Sequence, residues 1–194
     1  KRGSCYQTYP EYTWKVIAMW AWLQSRTLDY LLRQPYVDSS CVISAGHSRY
    51  GKTALCCAVM DERFTICAAA GSGCGGMASN RYSGNRLGDG LGFVETNGWL
   101  MREDGIAYWF VDDFGKYGNK ETACAHWEEN RLDFDAHFIG AVIAPRPLIV
   151  LEGLDDQWSN PFGTQISWYA VAEVYRFLGA EENCAMHFRE GGHM

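Results

Sequence analysis

The residues best suited to chemistry gather in one stretch, Ser44-Ala45-Gly46-His47-Ser48-Arg49-Tyr50-Gly51-Lys52-Thr53-Ala54-Leu55. It follows an apolar run through Cys41, Val42 and Ile43 that reads as a strand, and it leads into a run from Thr53 to Met60 that reads as a helix. A serine between glycines on a strand-to-helix turn is held out at the edge of a sheet, where its hydroxyl can act as a nucleophile. The same letters spell a second pattern. Residues 46–53 also read G-x-x-x-x-G-K-T, a loop that cradles phosphate with backbone N–H groups and a lysine, here Lys52. One stretch therefore offers two chemistries, acyl transfer through Ser48 or nucleotide binding.

Residues far downstream weigh between them. Asp156 follows the apolar run 148–151 and a Glu152-Gly153 pair, and His193 sits in a Gly-Gly-His loop after the apolar run 183–188. Serine, then acid, then histidine is the chain order of an α/β-hydrolase triad. In such a triad the imidazole takes the serine proton and the acid fixes its tautomer. Asp155 is the adjacent alternative for the acid. A phosphate loop needs a Mg²⁺-associated acidic residue at the end of another strand. Glu152 is available for that, but the reading leaves Asp156 and His193 without work. The weight falls on a serine ester hydrolase that needs no cofactor and no metal. A nucleotide-binding protein and a non-catalytic, carbohydrate-binding relative of the hydrolases stand as alternatives.

The elements that must position these groups alternate between strand and helix, which predicts an α/β fold with a mostly parallel sheet flanked by helices. A buried helix is expected over 11–34, between Pro10 and Pro35, with Trp14, Ile17, Ala18, Ala21, Leu28, Leu31 and Leu32 at helical spacing. Strands are expected at 41–45, 64–70, 148–151 and 183–188, and helices at 53–60, 135–144 and 163–178. The glycine-dense stretch 71–76 has no room for regular structure. Residues 77–134 read as an irregular, aromatic-rich, cap-like insertion within a single domain spanning 1–194.

Composition narrows the partners. The chain has 194 residues, 8 Trp, 11 Tyr and a net charge of −6, with no more than two adjacent Lys/Arg anywhere. That is no electrostatic footprint for nucleic acid. The longest wholly apolar run, 16–23, is too short to span a bilayer. The eight cysteines lie mostly in apolar runs with no C-x-x-C pair, as small core residues and mainly free thiols would.

The motifs, taken together and in order, resemble the bacterial glucuronoyl esterases of carbohydrate esterase family 15. The resemblance is carried by residues 46–55, Asp61-Glu62-Arg63-Phe64, Ser72-Gly73-Cys74-Gly75-Gly76, Asp133-Phe134-Asp135-Ala136-His137, Ile143-Ala144-Pro145-Arg146-Pro147 and Asp156-Gln157-Trp158-Ser159-Asn160-Pro161. It implies an α/β-hydrolase that cleaves esters between lignin alcohols and the glucuronate groups of xylan, with an acetyl or other carbohydrate esterase of the same fold as the alternative, so the partner is a carbohydrate ester. It further implies Ser48 as nucleophile, His193 as base and Asp156 as acid. Arg49 would stabilise the oxyanion, and Lys52 and Trp158 would face the sugar. One family position for the acid, a Glu just before the Ser-Gly-x-Gly-Gly loop, is Gly71 here. A sugar-contacting Glu of the family falls at Asn85, and His47 replaces the cysteine of fungal members. The resemblance also implies a secreted or periplasmic protein, while the unpaired-looking cysteines point to a cytoplasmic one. The stretch ahead of Ser48, half of it one helix, is too short for the strands such a fold places before its nucleophile. A partial fold lacking its N-terminal strands is therefore expected.

Overall fold

The computed structural model describes residues 7–82, 94–102, 105–118 and 127–194. Four strands, β1 (Ile43–His47), β2 (Ile66–Ala70), β3 (Leu148–Gly153) and β4 (Cys184–Arg189), pair in parallel in the order β1-β2-β3-β4. The register runs His47 against Ala70, Ala70 against Leu151, and Gly153 against Arg189, so all four strands finish along one edge. Parallel neighbours need crossover connections. Helix α1 (Val16–Leu31) precedes β1, α2 (Arg49–Met60) joins β1 to β2, and α5 (Pro161–Phe177) joins β3 to β4. Among the described residues between β2 and β3 lie α3 (Asn97–Leu100), three short 3-10 turns and α4 (His137–Ile143).

The sheet is covered because its side chains alternate. Cys67 and Ala69 of β2 and Leu148 and Val150 of β3 are buried with Leu55 and Ala58 of α2, Ile143 of α4, and Val171 and Tyr175 of α5. Burying one such aliphatic side chain is worth about 1.5–3 kcal/mol, so this cluster dominates the stability. The Tyr175 hydroxyl donates to the Arg146 carbonyl at 2.6 Å. The Arg146 guanidinium donates to the Phe64 and Ala58 carbonyls, each at 2.8 Å. These bonds tie α2, α5 and the starts of β2 and β3 together at the end opposite the site. A second cluster, with Ala21 and Leu28 of α1, Cys57 of α2 and Phe64, holds α1 against α2. The described part of the aromatic-rich insertion has its own small core of Cys74, Leu100, Met101, Phe114 and Leu132.

Several boundaries differ from the sequence expectation. The first helix begins at Val16, not at residue 11. Ahead of it Tyr12 stacks on Trp14 with ring centroids 4.6 Å apart, and Lys15 is extended. Strand β1 runs two residues later than expected because pairing begins where Ile43 meets Ile66. Helix α2 begins at Arg49 and absorbs the stretch read as a loop. The six described cysteines, Cys41, Cys56, Cys57, Cys67, Cys74 and Cys184, are free thiols. Burial pushes those of Cys57 and Cys67 up to about 12. No helix among the described residues is long and apolar enough to cross a membrane.

Candidate active site

Strand β1 ends at His47 and α2 starts at Arg49, leaving Ser48 alone in the turn at φ 58°, ψ −125°. Such a backbone costs about 1–3 kcal/mol and persists where the surroundings impose it. Here the helix folds back so closely that a Cβ on Gly46 would lie 2.1 Å from the Tyr50 carbonyl oxygen. A one-residue turn leaves no loop to wrap around a phosphate. Lys52, the cation of the phosphate-loop reading, is buried, and its Nζ donates to the Glu95 carboxylate at 2.7 Å and to the Ser72 carbonyl at 2.5 Å. The G-x-x-x-x-G-K-T match is thus a coincidence of letters.

After β3 the chain turns sharply, with the Asp156 N–H donating to the Gly153 carbonyl at 3.1 Å. The Ser159 N–H donates to Asp156 Oδ1 at 3.1 Å, and Asn160 caps α5 by accepting from the Gly163 N–H at 2.9 Å. Asp156 is thereby fixed and buried, whereas Asp155 is exposed. After β4 the chain returns to the same place. The Leu154 N–H donates to the Arg189 carbonyl at 2.9 Å, and the Asp155 N–H donates to that of Gly191 at 3.1 Å.

These turns bring the three predicted groups together. His193 Nδ1 is 2.7 Å from Asp156 Oδ2, and His193 Nε2 is 2.9 Å from Ser48 Oγ. The carboxylate selects the tautomer in which Nδ1–H donates to it, which leaves the Nε2 lone pair to accept the Ser48 hydroxyl. Ser159 Oγ donates to the Gly71 carbonyl at 3.1 Å and lies 3.1 Å from His193 Nδ1, so it adds an acceptor beside the same N–H. A nucleophile, a base and an orienting acid in series can carry out acyl transfer.

The other predicted residues surround this line. Arg49 is the first residue of α2, and its backbone N–H is among those a helix leaves without an internal partner. Its exposed guanidinium lies over the Trp109 ring, 5.3 Å from the centroid. Trp158 is half-buried and meets Trp99 edge-on at 4.6 Å. Lys52 does not stand free toward a sugar; it is held in the ion pair with Glu95. Asn85 lies outside the described residues.

Sequence reasoning missed two carboxylates. Glu95 is buried with Lys52 from another part of the chain, and burial pushes its carboxyl upward against the pull of the ammonium. Its N–H donates to the Trp158 carbonyl at 3.0 Å, which joins the ion pair to the loop carrying Asp156. Nothing local around Glu95 signals this partnership. Glu152, the residue available for Mg²⁺, is instead 1% exposed, and among the described residues neither of its carboxyl oxygens has a hydrogen-bond partner. Burial pushes it up to about 8; the nearby Thr164 hydroxyl opposes the shift but is not in hydrogen-bonding geometry.

The folded protein therefore holds the Glu152 proton at pH values where the unfolded chain, titrating near 4.5, has released it. Stability falls as pH rises between those two values, by up to about 1.4 kcal/mol per pH unit. Glu152→Gln keeps the shape and removes the ionisation. It is expected to leave urea stability nearly unchanged at the acid end of this window and to raise it by about 2–4 kcal/mol at the alkaline end. Equal effects at both ends would show that the proton is not the cause.

Comparisons with known proteins bear on the family and the fold. The family model described as "Glucuronyl esterase, fungi" matches residues 1–179. The carbohydrate esterase MZ0003, from an unknown prokaryotic organism, is 33% identical over 174 residues, which cover 89% of this chain and 36% of that protein. Among solved structures, a carbohydrate esterase family 15 glucuronoyl esterase from Caldicellulosiruptor kristjansonii superposes with a TM-score of 0.85 at 33% identity. That match covers 99% of this chain and 50% of the other. The glucuronoyl esterase catalytic domain from Hypocrea jecorina gives a TM-score of 0.77 at 26% identity, covering all of this chain and 50% of that one. The chain thus spans half or less of the length of these relatives.

Proposed function

The chain belongs to the glucuronyl esterase family, and from that membership we propose that it acts as a serine carboxylic-ester hydrolase on glucuronate esters of plant-cell-wall xylan, releasing the lignin alcohol. The observation that carries the reading is the unbroken line from Ser48 Oγ through the His193 ring to Asp156 Oδ2, at 2.9 and 2.7 Å.

In the first half-reaction Ser48 Oγ attacks the ester carbonyl carbon while His193 Nε2 takes the hydroxyl proton. The oxyanion that forms accepts from the Arg49 backbone N–H and draws on its guanidinium; one such donor is worth about 10²–10³ in rate. Collapse breaks the bond to the alcohol, which leaves with the proton from His193, and the glucuronoyl group remains on Ser48. Water then gives a proton to His193 and attacks the acyl-enzyme. Ser48 is released with its proton restored, and the uronic acid departs. The half-buried ring of Trp158 supplies an apolar wall for the sugar, with the Lys52–Glu95 pair behind it as a source of polar contacts to the sugar hydroxyls. We also place the four strands as the C-terminal part of a larger hydrolase sheet. Support comes from the coverage of the relatives and from β1, which is an edge strand among the described residues and carries an exposed Ile43.

The test compares a methyl glucuronate ester with p-nitrophenyl acetate and adds a serine-directed fluorophosphonate. The reading expects labelling of Ser48 and a higher kcat/KM for the glucuronate ester. Cleavage of the acetyl ester alone would overturn the substrate assignment. Absence of labelling, or a thermal shift with Mg²⁺-ATP, would overturn the hydrolase itself.

A further inference from the structure

His47 lies directly before the nucleophile, on the last position of β1, and has no part in the proton path described above. Its ring nevertheless packs against the catalytic imidazole. The His47 and His193 ring centroids are 4.6 Å apart with the planes tilted by 48°. The space for this contact comes from Gly71, the residue after β2. A Cβ there would lie 3.1 Å from His47 Nε2 and 3.4 Å from Asp156 Oδ2, tight against the first and touching the second. Gly71 has φ +49°, a backbone that a side chain would strain in any case. A bare backbone at this position leaves one compartment in which His47, His193 and the Asp156 carboxylate meet.

We propose that His47 is a positioning residue for His193: its uncharged imidazole braces the catalytic ring in the orientation that bridges Asp156 and Ser48. This rests on the esterase reading only where turnover is the measurement. The brace has to be neutral, because His193 becomes an imidazolium at each proton transfer and a second cation against it would oppose that step. The surroundings favour the neutral form. Burial and the neighbouring His193 and Arg189 hold the His47 ring below the usual histidine range, against the pull of Asp156 and of the His193 backbone. Those three side chains come from the turn after β3 and from β4 and its loop; Gly71 contributes no charge. The brace also acts on a segment that needs one. The main chain of the 190–193 loop is held by the Asp155 N–H, which donates to the Gly191 carbonyl, and by the Arg189 guanidinium, which donates to the Gly192 carbonyl at 2.5 Å and to that of Glu190 at 3.1 Å. None of these touches the His193 ring, whose edges are held by its bonds to Asp156, Ser159 and Ser48 and whose face is the part that His47 packs against.

The experiment uses His47→Ala and His47→Gln, the second because its amide N–H can reach toward the place of the imidazole Nε2. Two readouts are taken: kcat and KM on the glucuronate ester, and the far-downfield NMR proton resonance of an imidazole Nδ1–H held by a carboxylate. His47→Ala is expected to lower kcat by about 10²-fold, the scale of a 1 Å misplacement, with KM within about twofold. It is also expected to lose or broaden the resonance, and His47→Gln to recover at least about tenfold of the kcat. A His47→Ala protein with unchanged kcat and an unchanged resonance overturns the proposal, and so does a loss of melting temperature with the resonance intact. If the parent protein hydrolyses neither ester while the resonance still depends on His47, the esterase reading fails and the brace stands.

Discussion

Ser48→Ala is expected to lower kcat on a glucuronate ester by about 10⁶-fold, the scale seen when the nucleophile of a Ser-His-Asp enzyme is removed, with little change in KM or unfolding free energy. The asymmetry follows from the site. Among the described residues Ser48 Oγ has one partner, His193 Nε2 at 2.9 Å, and its side chain makes no capping bond to α2. Deleting the hydroxyl therefore removes the bond-forming atom and strands no buried polar group. The activity left over is what the oxyanion donors and substrate binding supply alone, about 10³–10⁴ over water. The check is single-turnover kinetics on purified variant, with fluorophosphonate labelling to exclude contamination by the parent. A loss below about tenfold would place the nucleophile elsewhere.

Asp156→Asn comes next, at about 10⁴-fold in kcat, and the structure says which way the amide turns. Asp156 Oδ1 accepts the Ser159 N–H, so the Asn carbonyl oxygen must take that position. The amide N–H₂ is then left facing His193 Nδ1. A donor there forces Nδ1 to be the acceptor and moves the ring proton to Nε2, where it points at Ser48 and cannot receive the hydroxyl proton. The fold is unchanged, KM is expected to move little, and the loss falls on the chemical step. Asp155→Asn is the companion measurement. That side chain is exposed, and the bonds of this residue run through its backbone N–H and carbonyl, to Gly191 and Gln157, so kcat within about twofold of the parent is expected. A reversal of the two effects would exchange the roles of these neighbours.

The triad was legible because each member sits at a strand end marked by letters with a local meaning: glycines around Ser48, an acidic pair after an apolar run, and Gly-Gly before His193. Chain order then chose among the chemistries. The element boundaries were less legible because pairing sets them. Val42 has the composition of a strand residue, yet β1 begins one residue later, where Ile43 finds Ile66. The residues ahead of Val16 suit a helix until Tyr12 and Trp14 stack on each other. Glu95 could not be found from its neighbours. Its meaning depends on Lys52, 43 positions away, and on a buried space between them that no periodicity announces. The burial of Lys52 was hidden for the same reason, since a lysine at a helix start reads as exposed until its partner is known. The role of Gly71 was the hardest to see. It reads as a missing acid, whereas in the fold its lack of a side chain leaves His47 and the Asp156 carboxylate uncrowded beside the site.

The order of the strands has a kinetic side. Ser48 and His193 are 145 positions apart, and the sheet that joins them grows one parallel neighbour at a time from β1 to β4. Pairings between distant segments carry the loop-closure entropy and form slowly. His193 follows β4, which among the described residues lies at an edge of the sheet, where fraying is easiest. A chain with β1, β2 and β3 already docked has its nucleophile and its acid in place and still cannot turn over. On the esterase reading, turnover measures whether β4 has closed, and a lesion confined to β4 is expected to silence the site while most of the core remains intact.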